Sequence, residues 1–448
     1  MHTLSMLRPM ERRIFYLLLI SGFVLAATLV GRLRAGPGAV VVPAERTART
    51  AAPLSTAEVV ARMRAAVEAD PDSADAYAGL GLALLQAVRE TADPALYGQA
   101  ETALGEALRR DPDQLDALVG QGLLALARHD FRAALEWGRQ AQELMPYRAD
   151  ALGILVDAHV ELGQYDAAVD AAQAMVNLRP NLASYSRVSY VRELRGDTDG
   201  AIAAMEAAVA VGAPGAESTA WTQTQLGHLH FRRGDLAAAE ATWRETLAQR
   251  PDYPYAQAGL ARVLAARGDR SQAIEMLEGI AARLPLPEFL LTLGQLYEAD
   301  GQLPQAERQY DLIRVIQQLN ADSGMNVDLE LALFEADHGD PATALDMARR
   351  AYEARPSIHA ADALAWASYR AGDIDAAQTY MTEALRLNTQ DALLFYHAGM
   401  IAAARGDRAA ATAHLGRALE LNPWFDFAQT VIARDTLSAL SAGQENQP

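Results

Sequence analysis

A glycine recurs at nearly constant spacing along most of this 448-residue chain, and no other feature restricts its fold as strongly. Successive glycines are 33 to 38 residues apart, and each lies in a short polar segment such as Arg233-Gly234-Asp235. A period in this range is typical of a helix-turn-helix repeat array. The recurring glycines are Gly163, Gly196, Gly234, Gly268, Gly301, Gly339, Gly372 and Gly406.

An alanine follows each glycine five residues later, and this pairing predicts how the two helices of a unit pack. The glycine permits the turn between the helices, and the small alanine lets the second helix lie close against the first. A proline twelve residues after the alanine closes most units and forces the next helix into a new direction. The alanines are Ala168, Ala201, Ala239, Ala273, Ala306, Ala344, Ala377 and Ala411.

The seventh and tenth units carry further residues of a known pattern. Leu290, Leu293, Gly294, Tyr297, Ala306 and Tyr310 mark the seventh, and Phe395, Gly399, Ala411, Leu415, Ala418 and Pro423 mark the tenth. This pattern resembles the tetratricopeptide (TPR) repeat, which runs W-x2-L-G-x2-Y, A-x3-F and P over roughly 34 residues. The resemblance implies an all-α fold, a right-handed superhelical α-solenoid of about ten TPR repeats over residues 71–426, with a concave groove. The first unit is about seven residues longer than the ~34-residue norm, around Glu90 to Leu96.

A repeat array needs caps at its two ends, and both flanks supply a candidate. Ser55-Thr56-Ala57-Glu58 has the form of a capping box and predicts an N-terminal capping helix over residues 55–70. Phe427 to Leu440 is predicted to form an amphipathic C-terminal capping helix. Residues 441–448 are polar and are predicted to be a disordered tail.

The N-terminal segment Ile14 to Val30 is uncharged and long enough to span a bilayer. We interpret it as a transmembrane anchor between a short basic tail (residues 1–13) and a flexible linker (residues 31–54). A cleaved signal sequence is the alternative, although arginines rather than a small-x-small site follow the apolar run. The expected location is a single-pass membrane protein with extracytoplasmic repeats, because long domains translocate largely regardless of charge.

Charge and missing residue types exclude several functions. The net charge is −18, and an acidic solenoid would repel a phosphate backbone, so nucleic-acid binding is not expected. The chain has no cysteine and no lysine, which removes thiolate nucleophiles, cysteine-bound metals, Schiff-base chemistry and Walker-type loops. No G-x-S-x-G or H-E-x-x-H motif is present. We therefore expect a protein that is not an enzyme and has no metal and no cofactor.

The candidate binding residues lie where the first helix of each unit would face the groove. These types stack on and hydrogen-bond a partner, although several could instead pack against a neighbouring helix. The segment Tyr185 to Tyr190 also departs from the repeat pattern, which we interpret as a sign of a local task. The central cluster comprises Asp157, Tyr190, Trp221, His228, Tyr255 and Arg262, and a second patch comprises His359, Trp366, Tyr369 and Tyr396.

These features favour a membrane-anchored scaffold that binds a protein or peptide partner in its groove. Two alternatives stay open. A small-ligand or glycan-binding module of the cell envelope would need an aromatic-lined pocket. A subunit of an envelope assembly machinery is suggested only by analogy with singly anchored TPR proteins.

Overall fold

The computed structural model describes residues 54–91 and 93–442, and within them it contains 22 α-helices and no β-strand. The helices are α1 (Thr56–Ala69), α2 (Ala74–Thr91), α3 (Ala95–Arg110), α4 (Leu115–Ala127), α5 (Phe131–Leu144), α6 (Ala149–Glu161), α7 (Tyr165–Leu178), α8 (Leu182–Leu194), α9 (Thr198–Ala210), α10 (Glu217–Arg232), α11 (Leu236–Gln249), α12 (Pro254–Ala266), α13 (Arg270–Ala281), α14 (Pro287–Ala299), α15 (Leu303–Asp322), α16 (Asp328–His338), α17 (Pro341–Ala354), α18 (Ile358–Arg370), α19 (Ile374–Ala384), α20 (Ala392–Ala404), α21 (Arg408–Leu421) and α22 (Gln429–Ala442).

Helices α2 to α21 form ten consecutive pairs, each an α-helical hairpin that packs against the next, which confirms the predicted all-α solenoid. We number these pairs as units one to ten. The alanines predicted to bring the two helices together do so, because every one of the eight is at most 2% exposed. A side chain larger than a methyl group at these positions would force the hairpin apart.

Seven of the eight recurring glycines have positive φ, between 69° and 96°, as the turn requires. Gly339 is the exception, with φ −141°. Pro341 begins the next helix there, and its ring restricts the preceding Asp340 to an extended conformation, so this turn is built differently. In the second unit His129 occupies the glycine position with φ 58°, which the glycine series did not reveal.

The end helices cap the array with small differences from the predicted bounds. Ser55 and Glu58 form the predicted capping box at the start of α1. Helix α22 begins two residues later than predicted and extends to Ala442, so the first two residues of the predicted tail are helical. The later start follows from Asp426, whose carboxylate accepts the backbone N–H groups of Ala428 and Gln429 at 2.8 and 2.7 Å.

In two irregular units, the first and the seventh, the extra residues extend a helix rather than a loop. The extra residues of the first unit extend α2, which continues to Thr91. Helix α15 is 20 residues long and is followed by a turn at Ser323 and Gly324.

The predicted basic tail (residues 1–13), anchor (residues 14–30), most of the linker (31–53) and the end of the tail (443–448) lie outside the described residues. Within the described residues, none of the helices combines the length and the apolar character needed to cross a membrane.

The solenoid coils tightly enough that its second half packs on its first. We call the side formed by turns within units the turn edge, and the side formed by connections between units the loop edge. The turn of the third unit, at Gly163, lies against Pro356 at the end of the eighth, and Gly234 of the fifth lies against Leu421 of the tenth. About five units therefore complete one superhelical turn.

We call this contact between successive superhelical turns the seam. Polar side chains hold it by bonding to backbone groups across the gap. Asn422 Nδ2 donates to the carbonyl of Phe231 at 3.0 Å, and the backbone N–H of Ile358 donates to Tyr165 Oη at 2.7 Å. These bonds join residues more than 190 positions apart, so successive turns of the superhelix touch each other. The first helices of the units face the interior of the superhelix.

Candidate functional site

Five residues of the predicted central cluster keep access to solvent and belong to the first helices of units four to six. Tyr190, Trp221, His228, Tyr255 and Arg262 are each partly buried. Trp221 and Tyr255 meet edge to face with ring centroids 5.0 Å apart, a favourable geometry for aromatic rings.

The seam joins this cluster to part of the second predicted patch. Tyr190 Oη and His359 Nε2 lie 3.4 Å apart, although the two residues are 169 positions apart in the sequence. His359 is exposed, so its ring is available at this junction. The structure thus places Tyr190 and His359, which the sequence assigns to separate patches, at one place.

Arg262, on α12, is a cation that faces the interior near Asp426 and Glu288. Its guanidinium lies 4.4 Å from the ring centroid of Phe231, and among the described residues no carboxylate lies within ion-pair distance of it. Burial and, to a smaller extent, the neighbouring Arg232 lower its pKa to about 10, while Asp426 and Glu288 act in the opposite direction. Arg232 is itself paired with Glu193 at 2.7 Å. Arg262 is therefore a partly desolvated positive charge without a direct counter-ion.

Two acids face the same interior, and the sequence analysis did not identify them. Glu288, at the start of α14, is accessible to water but surrounded by the coil, which raises its pKa to about 7 despite the opposing effect of Arg262. Burial also raises the pKa of Asp426, whose carboxylate accepts a hydrogen bond from Gln295 Nε2 at 2.6 Å. Gln295 and Asp426 are 131 residues apart, so no local pattern could predict their meeting.

His228 is a neutral member of the cluster. Its ring packs edge to face against Trp243, with centroids 5.2 Å apart. Burial lowers the pKa of His228 well below 6.5, and the positive charges of Arg262 and Arg232 lower it further. At neutral pH this imidazole can therefore both donate and accept a hydrogen bond.

The prediction that Asp157 lies at the groove surface is wrong. It is 1% exposed, and both carboxylate oxygens accept hydrogen bonds from Arg187, at 2.9 Å from Nε and 2.6 Å from Nη2. A carboxylate enclosed in this way is occupied by its own counter-ion and is not presented to a partner.

The segment Tyr185 to Tyr190 departs from the repeat pattern largely for structural reasons. Ser189 is fully buried, and its hydroxyl donates to the carbonyl of Ala201 at 2.7 Å. Ser186 is also buried and donates to Leu182. Together with Arg187, these residues form a satisfied polar core between units, and Tyr190 is the residue of the segment that meets His359.

Most of the second predicted patch lies in the core as well. Trp366 and Tyr396 are each 2% exposed. Trp366 Nε1 donates to Asp337 at 2.8 Å, and its ring stacks on His397 with centroids 4.2 Å apart. Tyr369 is half-buried and stacks on Trp366. These aromatics mainly pack against neighbouring helices, which was the alternative interpretation of the pattern.

Family models agree with this architecture over part of the chain. Models described as tetratricopeptide repeat match residues 60–98, 95–151 and 230–289. The chain contains tetratricopeptide repeats. A relative, cellulose synthase operon protein C of Pseudomonas fluorescens (strain SBW25), is 29% identical over 149 residues, which are 31% of this chain and 11% of that protein. The matched part of this chain thus spans about a tenth of the length of the relative.

Solved TPR structures are similar at lower identity. A thermophilic TPR protein of Thermus thermophilus is 21% identical, with 43% of this chain and all of that chain covered and a TM-score of 0.39. A tetratricopeptide repeat protein of Parabacteroides merdae ATCC 43184 is 17% identical, with 58% and 98% covered and a TM-score of 0.34.

The ionisation of Glu288 predicts a pH-dependent stability. The pKa of the Glu288 carboxyl group is 4.5 ordinarily and about 7 in the folded chain. As the pH rises, the unfolded chain therefore loses the carboxyl proton before the folded chain does. Stability is therefore lost between pH 4.5 and about 7. We expect Glu288→Gln to raise the melting temperature at pH 8 and to leave it unchanged at pH 4. Melting followed by circular dichroism at both pH values measures this.

Glu143→Gln, at an exposed position on α5, is the matched control and should change neither melting temperature. An equal effect of Glu288→Gln at pH 4 and pH 8 would mean that the charge of Glu288 is not the cause.

Proposed function

We propose that this chain is a non-catalytic scaffold that binds a protein or peptide partner in the interior of its superhelix. The observation that carries the proposal is the unpaired, partly desolvated guanidinium of Arg262, which lies about two helical turns along α12 from the Trp221–Tyr255 ring pair. Large aromatics and arginines are the residues that most often dominate the energy of protein interfaces. TPR repeats support the same class of function.

The chemistry of the interior suits an extended segment with a negative charge and apolar side chains. Arg262 would pair with the charge, and the rings of Trp221 and Tyr255 would pack against apolar groups. His228 and Tyr190 add hydrogen-bonding groups along the same surface. Since the coil is already folded around this interior, the partner and not the scaffold would undergo most of the ordering on binding.

We further propose that residues 14–30 hold the scaffold at a membrane, with the repeats outside the cytoplasm. The uncharged length of the segment and the arginines that follow it support this. An envelope assembly is the setting that we favour for the partner, since the relative in Pseudomonas fluorescens is named for a cellulose synthase operon.

Binding is tested by replacing the two aromatics that face the interior. Tyr190→Ala together with Trp221→Ala should reduce partner capture from detergent-solubilised membranes by about tenfold or more, since each removed anchor is worth roughly 1 kcal/mol or more. Quantitative mass spectrometry of the captured proteins measures the loss. Full-length chain and a version lacking residues 1–54 are compared in parallel, which shows whether capture needs the anchor.

The matched control is Tyr352→Ala together with Tyr380→Ala. These two rings also meet edge to face, 5.3 Å apart, but they lie on the second helices α17 and α19. We expect the control variant to retain the partner and to melt at a temperature similar to that of the interior variant. If the interior variant keeps its partner and melts several degrees lower than the control, Tyr190 and Trp221 belong to the core and the proposed site is wrong.

A further inference from the structure

The seam uses only half of each edge of the solenoid. The turns at Gly163, Gly196 and Gly234 each lie close to a backbone carbonyl of a later unit. The equivalent turns at Gly268, Gly301, Gly372 and Gly406 have open space around them. Within residues 54–91 and 93–442, the turn edge of the second superhelical turn is therefore uncovered at these four glycines, and the loop edge of the first leaves large apolar side chains exposed.

Both free edges expose apolar side chains at positions that the seam covers. Trp424, two residues after the C-cap of α21, and Leu236, two residues after Gly234, pack against the same buried cluster beneath the seam. The same offsets lead to Tyr147, two residues after the C-cap of α5, and to Leu303, two residues after Gly301. Tyr147 is 80% exposed and Leu303 is 62% exposed.

Tyr147 is also part of a larger apolar group. The free loop edge of units two to four exposes further large apolar side chains at the ends of α5, α7 and α9, namely Leu144, Met145, Leu178 and Val211. Single exposed apolar residues are normal, but a row of them along one edge marks an interaction surface.

From these positions we infer that a second copy of this chain covers the free edges, with the turn edge of one copy on the loop edge of the next. In this contact between two molecules, the turn edge and the loop edge pair in the same way as they do at the seam within one molecule. The capping helices α1 and α22 already cover the outer faces of units one and ten, so the edges are the surfaces left for continuation.

Such a contact joins two different surfaces and is therefore heterologous. It leaves one free edge of each kind on every dimer, so copies extend into a column. The interiors of successive copies then form one longer channel, which would multiply the binding sites presented to a partner. This inference does not depend on what the interior binds.

The chain contains no cysteine, which permits a specific cross-linking test with the full-length protein in detergent. Tyr147→Cys and Leu303→Cys variants each carry one thiol, and the probe is a short bis-maleimide. We expect a cross-linked dimer when the two variants are mixed and only background amounts when either is treated alone. Val315→Cys, 45% exposed further along α15, replaces Leu303→Cys as the control and should give background with Tyr147→Cys.

Absence of dimer from the mixture would overturn the inference, and so would equal yields from a single variant or from the Val315→Cys control. Circular dichroism establishes that each variant has the helical content of the parent.

A second measurement uses Tyr147→Ser and Leu303→Ser in sedimentation velocity. Each variant alone should be monomeric, and their mixture should stop at the dimer, since only one intact pair of edges remains; larger species in the mixture would contradict the edge pairing.

Discussion

Replacing Arg187 by methionine should lower the free energy of unfolding by about 3 to 5 kcal/mol, because it leaves the buried carboxylate of Asp157 without its counter-ion. Arg187 is 4% exposed and holds Asp157 through two parallel hydrogen bonds. It also donates to the carbonyls of Gly153 and Ala183. Urea unfolding followed by circular dichroism measures the loss, and hydrogen exchange shows whether α6 and α8 open first, as expected for a repeat array.

Two further variants make the Arg187 result interpretable. Arg405→Met removes an exposed pair with Asp375, also between neighbouring units, and should cost less than about 1 kcal/mol. Asp157→Leu combined with Arg187→Met removes both buried charges and should recover most of the stability. A loss for Arg187→Met no larger than that for Arg405→Met would show that Asp157 does not depend on this arginine.

Gly163→Ala should be much more damaging than Gly301→Ala, although both glycines have nearly the same φ, 69° and 72°. Either change places a side chain in the left-handed region, which costs about 1 to 2 kcal/mol. At Gly163 an added Cβ would also lie 2.3 Å from the carbonyl oxygen of Pro356, whereas at Gly301 it would meet open space. The clash should add about 1 to 3 kcal/mol.

The difference between Gly163→Ala and Gly301→Ala isolates the contribution of the seam. Hydrogen exchange should show lost protection at Ile358, whose N–H bonds across the seam to Tyr165, only in Gly163→Ala. Similar urea midpoints and unchanged protection at Ile358 in both variants would mean that the two superhelical turns do not pack on each other in solution.

The repeat architecture could be predicted because it depends on local chemistry. A glycine that can adopt positive φ ends one helix, an alanine five residues later lets the next helix approach, and both signals lie within one unit. Gly339 and His129 show the limit of this logic. At Gly339 the following Pro341 changes the turn, and at His129 the turn forms without glycine, because its buried ring Nδ1 lies 2.8 Å from the carbonyl of Asn326 across the seam.

The candidate site was only partly predictable, since inward position and exposure are different properties. Tyr190, Trp221 and Arg262 were found because the first helix of a TPR unit faces the interior. Asp157 and Trp366 occupy the same kind of position and are buried, because a neighbouring Arg187 and His397 cover them. Which inward residue is covered depends on side chains of other units.

The sequence by itself therefore determined the helical hairpins, their number and their capping, through residue spacings shorter than about 40 positions. Only the tertiary structure decided that about five units complete a superhelical turn, that Asp426 and Glu288 share the interior with Arg262, and that Tyr190 meets His359. The physical reason is that small rotations between units accumulate along the array. Contacts across nearly 200 residues follow from their sum and leave no mark in any local pattern.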